Sequence, residues 1–64
     1  MSAHFELYRD AGGLWRWRLR ARNGRIVADS AEGYASRRNA RRAIGTTVDA
    51  VSEAGTAAVQ ELAS

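Results

Sequence analysis

The side chains with the clearest chemical potential in this sequence are arginines. All ten basic residues are arginine, and the formal net charge is +3. A guanidinium group pairs with phosphate or carboxylate through two parallel hydrogen bonds, so arginines without a neighbouring acid can bind anions. The candidate anion or nucleic-acid contacts flank a tight turn and open a predicted helix: Arg22, Arg25, Arg37, Arg38, Arg41 and Arg42.

Two tryptophans alternate with arginines in the run Trp15-Arg16-Trp17-Arg18, which could stack bases beside phosphate contacts. Such a surface needs both residue types on one face. Successive side chains of a strand point to opposite faces, so we predict indole rings inside and guanidinium groups outside. Weak, sequence-independent nucleic-acid binding is therefore the alternative function, weighed against a solvated basic surface.

Metal and catalytic chemistry have little support. The chain has no cysteine to serve as nucleophile or thiolate ligand, and His4 is its one histidine. His4 and Glu6 together would supply two metal ligands, which is too few for a site. Asp49 and Glu53 lie four residues apart, and paired carboxylates at this spacing usually face solvent. We predict no enzyme activity, no metal and no cofactor.

The elements that position these groups begin with three antiparallel strands, predicted from alternating apolar and charged residues at His4–Arg9, Leu14–Arg22 and Arg25–Asp29. Asn23-Gly24 predicts a two-residue hairpin loop, because both residues tolerate φ > 0. That loop would place Ala21 opposite Ile26 and Arg22 opposite Arg25. The predicted inner face carries Phe5, Leu7, Trp15, Trp17, Leu19, Ala21, Ile26 and Ala28.

The first hairpin needs a loop of three residues, Ala11–Gly13. A two-residue loop would turn the apolar residues of the first strand towards the arginines, whereas three residues pair Leu7 with Trp17. The same register predicts a charged row on the outer face, in which Arg18 lies between Glu6 and Asp29.

A helix follows the sheet. Gly33 is a predicted φ > 0 position in the connection, and Ser36 is a predicted N-cap. Apolar residues at helical spacing favour a helix from Arg37 to about Ser52, and Gly55 is a stop signal. Residues 56–62 alternate poorly and could form a strand or a disordered end, and their propensities would also tolerate a helix.

The length allows one domain, residues 1–64, in which we expect 1–3 and 63–64 to be frayed. A chain of this size buries only about 60% of the surface that it exposes when unfolded. Without disulfides or zinc, oligomerisation is the common remaining means of stabilisation. No apolar run approaches the roughly 20 residues of a membrane span, so we predict a cytoplasmic location without membrane association.

Several separated segments resemble the YegP-like family, small bacterial and archaeal domains of unknown function. They are Phe5-Glu6-Leu7-Tyr8, Trp15-Arg16-Trp17-Arg18-Leu19, Asn23-Gly24, Glu32-Gly33-Tyr34, and Ser36 followed by a helix with Ala40 and Ile44. The sequence departs from many relatives at the two Arg-Arg pairs and at Gly45-Thr46-Thr47 in the helix. The similarity runs from about Phe5 to Ile44 and is expected to continue through Leu62.

The resemblance implies a β-β-β-α-β unit, present as a tandem repeat or as a homodimer whose units share one sheet and exchange C-terminal strands. For a single unit it implies the homodimer, with Ala57, Val59 and Leu62 in the exchanged strand. We therefore predict an α+β fold, an antiparallel meander with one helix on its apolar face. The predicted function is a non-enzymatic, homodimeric structural or protein-interaction module with an unknown protein partner.

Overall fold

Three strands and one helix make up the described part of the chain, residues 2–56 and 58–62 of a computed structural model. They follow in the order β1 (His4–Arg9), β2 (Trp15–Arg20), β3 (Ile26–Asp29) and α1 (Arg37–Ala54). The strands form one antiparallel sheet with β2 in the centre, and α1 packs on β1 and β2. The predicted α+β meander is confirmed.

The β1–β2 hairpin has the predicted three-residue loop. Leu7 pairs with Trp17 in the sheet. At the loop, the Asp10 N–H donates to the Leu14 carbonyl over 2.8 Å, and the Gly13 N–H donates to the Asp10 carbonyl over 3.0 Å. Gly13 has a φ of 83°. Glycine therefore supplies the left-handed residue that ends this loop type.

The predicted two-residue loop of the β2–β3 hairpin is wrong. The loop has three residues, because the Ala21 N–H donates to the Arg25 carbonyl over 2.7 Å. Gly24 has a φ of 87°, whereas Asn23 stays at negative φ and accepts the Arg25 N–H with its side chain. Asparagine thus stabilises the turn by a local hydrogen bond rather than by a left-handed backbone. Arg25 faces Ala21, and Arg22 lies in the loop.

A β-bulge restores the predicted pairing farther along β3. Ile26 pairs with Arg20 rather than with Ala21, whereas Leu19 keeps its predicted partner Ala28. One additional residue, Val27, therefore stands on β3 between these two pairs. The longer loop shifts the pairing of the two strands, and the additional residue in β3 compensates for this shift.

The connection between β3 and α1 returns to the start of β2. Trp15 and Tyr34 exchange two backbone hydrogen bonds of 2.8 Å each. The predicted positive φ at Gly33 is wrong, since the left-handed residue here is Ala31, with a φ of 59°. Gly33 is needed for close approach instead, because a Cβ built there would lie 2.5 Å from Leu14 Cδ1.

The helix begins and ends at the predicted signals. The Ser36 hydroxyl accepts the Asn39 N–H over 3.1 Å, which caps the first turn. The last helical residue is Ala54, two residues beyond the prediction, and Gly55 follows with a φ of 59°. On the side facing the sheet, Ala40 is completely buried and allows the helix to approach closely.

The core is small and centres on Trp17, which is 6% exposed. Phe5 meets its indole edge-on, with ring centroids 5.6 Å apart and an interplanar angle of 73°. The inward orientation predicted for this tryptophan is confirmed. Two residues of the predicted inner face are exposed. Ala28 does lie on the inner face, but α1 does not extend over β3. The inner-face prediction for Ile26 is wrong, because its pairing with Arg20 puts it on the outer face.

Two glycine-to-alanine substitutions should have opposite effects on stability. Gly33→Ala should lower the free energy of unfolding by about 1–3 kcal/mol, because the methyl group overlaps Leu14. Gly45→Ala should raise it by about 0.5–1 kcal/mol, because Gly45 lies within α1 with no atom near its would-be Cβ. Urea unfolding measures both values. An equal effect of the two substitutions would contradict the close approach at Gly33.

Candidate functional site

The arginines on the outer face of β2 are neutralised by two carboxylates. Arg18 Nε and Arg20 Nε donate to the same oxygen of Glu6, over 2.7 and 2.9 Å. Arg16 Nε donates to the Asp10 carboxylate over 2.5 Å. All five side chains are partly shielded from solvent. These three guanidinium groups therefore hold the sheet together and are poorly placed to bind an external anion.

These contacts shift the titration of both acids. Hydrogen bonds from Arg18, Arg20 and His4, in decreasing order of effect, lower the pKa of Glu6 from 4.5 to about 2. The hydrogen bond from Arg16 is the main cause of a lowered pKa at Asp10. Both carboxylates stay charged in mildly acidic solution, where they continue to bind the arginines.

Asp29 does not complete the predicted row of charges. It lies opposite Arg18 in the register, as predicted, but its carboxylate accepts the backbone N–H of Ala31 over 3.0 Å. Arg18 turns the other way, binding Glu6 while its guanidinium lies 4.6 Å from the centre of the Tyr8 ring. The positive φ at Ala31 offers Asp29 a local donor, which competes with the cross-strand ion pair.

Four of the six candidate anion contacts come together on α1. They line one open depression on the first two turns of the helix: Arg37, Arg38, Arg41 and Arg42. Within residues 2–56 and 58–62, no carboxylate forms an ion pair with any of them. We call these four side chains the helix arginine cluster.

The other two candidates, Arg22 and Arg25, lie at the opposite end of the sheet. They belong to the β2–β3 hairpin, whereas the Trp15–Tyr34 bridge holds the start of α1 near the beginning of β2. Six strand residues separate these ends by about 20 Å. The structure therefore does not join them to the helix arginine cluster, and anion binding at either place stays a prediction.

An apolar groove of about 230 Å³ lies between α1 and the inner face of the sheet. Among the described residues, no charged side chain lines it; its walls are Phe5, Trp17, Leu19, Ala28, Thr47, Val48, Val51 and Ser52. The Trp17 indole N–H is buried without a hydrogen-bond partner in the described residues. Sequence reasoning missed this groove, although Val48 and Val51 on the apolar stripe of α1 were a signal for it.

The predicted strand-exchange residues do not pack against their own chain where they are described. Val59 is 77% exposed and Leu62 is 81% exposed, and residues 58–62 form neither strand nor helix. Ala57 lies outside the described residues. Strand exchange therefore stays a prediction.

His4 contacts the carboxylate of Glu6 through Nε2 over 3.2 Å. In the described ranges, no three histidine, cysteine, aspartate or glutamate side chains come close enough together to hold a metal ion. Over the same residues, no helix combines the length and apolar character that crossing a bilayer requires.

Comparison with known proteins adds relatives of unassigned function. A family model described as "Domain of unknown function (DUF1508)" matches residues 10–61. Two UPF0339 proteins, from Neisseria meningitidis serogroups B and A, are each 49% identical over 41 residues, 64% of this chain and 71% of theirs. A UPF0339 protein from Methanosarcina acetivorans is 62% identical over 32 residues, 50% of this chain and 53% of its own.

The fold also matches a solved structure. The NMR solution structure of a protein from Haloferax volcanii shares 38% sequence identity with this chain. The match covers 98% of this chain and 97% of that one, with a TM-score of 0.70.

The Glu6 contacts predict an acid-sensitive stability. A carboxylate whose pKa falls on folding stabilises the protein above its unfolded value, near 4.5, and loses that contribution as the pH drops towards 2. Glu6→Gln should therefore be less stable than wild type at pH 7 and should lose less stability between pH 4.5 and 2. Thermal unfolding across this pH range measures the difference.

The matched control is Glu53→Gln, which removes an exposed carboxylate near the end of α1 that has no ion pair in the described structure. It should keep the acid dependence of the wild type. If Glu6→Gln kept that dependence as well, Glu6 would not be the acid-sensitive contact.

Proposed function

Since the chain belongs to the DUF1508 family of domains of unknown function, we propose that it is a homodimeric, non-enzymatic protein-interaction module. This membership agrees with the resemblance to YegP-like domains. In the proposed dimer, the C-terminal segment of each copy, residues 57–62, covers the apolar groove of the other. The proposed location is the cytoplasm.

The open groove is the observation that carries this proposal. The helix packs on β1 and β2 but leaves the apolar side of β3 uncovered. Val51, on the wall of the groove, is 65% exposed, and Ala28, the β3 residue that lines the groove, is also exposed. Apolar surface of this kind, next to an unpaired sheet edge, favours association with another chain.

The buried indole of Trp17 indicates what the occupant should offer. Trp17 lines the groove, and a buried N–H without an acceptor costs about 1–3 kcal/mol, so we propose that the occupant supplies an oxygen to this indole. An extended segment carries backbone carbonyls as well as apolar side chains, and can meet both requirements of the groove.

The C-terminal segment of a second copy fits this description. Val59 and Leu62 gain nothing from their exposed positions in a single chain, whereas about 0.8 kcal/mol is gained per CH₂ group removed from water. Because the groove and the segment that occupies it belong to the same chain, the two are present at equal concentration. A small domain without disulfides also gains needed stability from association.

The proposal includes no catalytic step. The groove offers only apolar and hydroxyl side chains, and the carboxylates Glu6 and Asp10 are bound to arginines on the opposite face of the sheet. The proposed role of the dimer is to bind another protein.

Size-exclusion chromatography with light scattering tests the dimer. Wild-type protein at micromolar concentration should have twice the mass of one chain. Val59→Asp should give the mass of one chain, because a carboxylate would be buried in an apolar groove without a partner.

Gln60→Asp is the matched control, since it adds the same charge one residue away. In an extended segment, neighbouring side chains point to opposite faces, so this variant should remain dimeric. A folded wild-type monomer at these concentrations would refute the proposal, as would equal dissociation of the two variants.

A further inference from the structure

We propose that the helix arginine cluster is a sequence-independent binding site for the phosphodiester backbone of nucleic acid. Its members, Arg37, Arg38, Arg41 and Arg42, line one open depression at the start of α1. The proposal does not depend on dimerisation, because none of these residues lines the apolar groove.

The cluster is electrostatically unfavourable in the free chain. Residues four apart on a helix have Cβ atoms about 6 Å apart, so Arg37 faces Arg41 and Arg38 faces Arg42, and like charges at this spacing repel. The positive end of the helix dipole lies here too, and no acidic residue occupies the first turn. A bound anion would relieve both effects.

The acids in the described part of this chain form no ion pair with the cluster. Glu6 and Asp10 are already bound to the arginines of β2. On the helix itself, Asp49 is the nearest carboxylate in sequence, and its backbone lies about 10 Å along the axis from that of Arg42. Within residues 2–56 and 58–62, the cluster has no ion-pair partner, unlike the arginines of the sheet.

The composition of the depression favours phosphate groups over an acidic protein. Its lining is arginine alone, and the aromatic and aliphatic side chains nearby belong to a separate crevice that only Arg41 shares. Guanidinium groups match phosphate oxygens in a planar, two-bond geometry. The cluster extends about 7.5 Å along the helix axis. A nucleic-acid strand in a duplex presents a phosphate about every 3.4 Å, so the cluster is long enough to contact more than one phosphate of a strand.

The same surface lacks a means to read bases. Trp17 is buried in the core, and Trp15 is half-buried at the start of β2, where its backbone pairs with that of Tyr34. Neither residue lines the depression. Contacts to phosphate carry no sequence information by themselves, so binding should be independent of sequence.

Fluorescence anisotropy with labelled 20-base-pair DNA of two unrelated sequences tests the site. The full chain should bind both sequences equally at 50 mM NaCl. For four phosphate contacts, affinity should fall about 100-fold between 50 and 200 mM NaCl, because counterions are released on binding. Absence of binding at 50 mM NaCl, or a preference for one sequence, would overturn the proposal.

The decisive variant is Arg38→Gln/Arg42→Gln, which leaves Arg41 in place because Arg41 also lines a crevice with Leu7 and Ile44. This variant should bind DNA at least 10-fold more weakly than wild type. The slope of its log affinity against log salt concentration should be smaller in magnitude by about 2. The matched control, Arg22→Gln/Arg25→Gln, removes the same charge at the other end of the sheet and should bind within twofold of wild type.

Equal weakening by both pairs would show that net charge alone attracts DNA, which would refute a site on α1. Polyglutamate of equal charge serves as the competitor. Displacement of DNA by polyglutamate at lower concentration than by unlabelled DNA would mean that the cluster recognises acidic protein, and the proposal would fail. Circular dichroism should show that both double variants keep the wild-type fold.

Discussion

The burial of Trp17 beneath α1 is the contact on which the rest of the structure depends. In the described part of the chain, it and Ala40 are the only buried hydrophobic residues. The small Ala40 side chain allows the helix to approach the sheet, and Phe5 fills the space at the edge of the indole. Because side chains alternate along a strand, this inward tryptophan also commits Arg16 and Arg18 to the outer face.

The outward arginines would repel one another without the carboxylates of the first hairpin. Glu6 receives two guanidinium groups on one oxygen, and Asp10 binds Arg16 while accepting two backbone N–H groups in the loop. Two groups of arginines therefore differ in role. Those of β2 belong to the scaffold, whereas those at the start of α1 repel each other and form no ion pair within the described residues.

The sheet is only partly covered by its own chain. The helix spans β1 and β2, so the apolar side of β3 forms the wall of an open groove and both outer strands of the sheet have unpaired edges. A domain this small has little apolar surface to bury, and much of that surface remains outside the core. Burying it in an interface would therefore add a large part of the available hydrophobic stabilisation. Because the helix leaves part of the sheet uncovered, the core is small, and the uncovered apolar surface favours the proposed association of two copies.

Local patterns were enough to predict most of the architecture. The period of two placed the indoles and arginines on opposite faces, the loop at Ala11–Gly13 determined the β1–β2 register, and Ser36 and Gly55 marked the helix ends. Each of these depends on residues that are close in sequence, where backbone sterics and alternation dominate. The conformation of Asn23-Gly24 was the exception, because a three-residue loop followed by a bulge satisfies the same outer pairing.

Only the tertiary structure decided which groups meet across the fold. It gave Asp29 a backbone partner, separated Arg22 and Arg25 from the helix arginines, and left a groove beside Trp17. These outcomes depend on where α1 crosses the sheet and on competition among neighbouring donors. Sequence alone determined the faces of β1 and β2 and the register between them, because these follow from local backbone geometry. The long-range placement of helix against sheet determined which surfaces are available for binding.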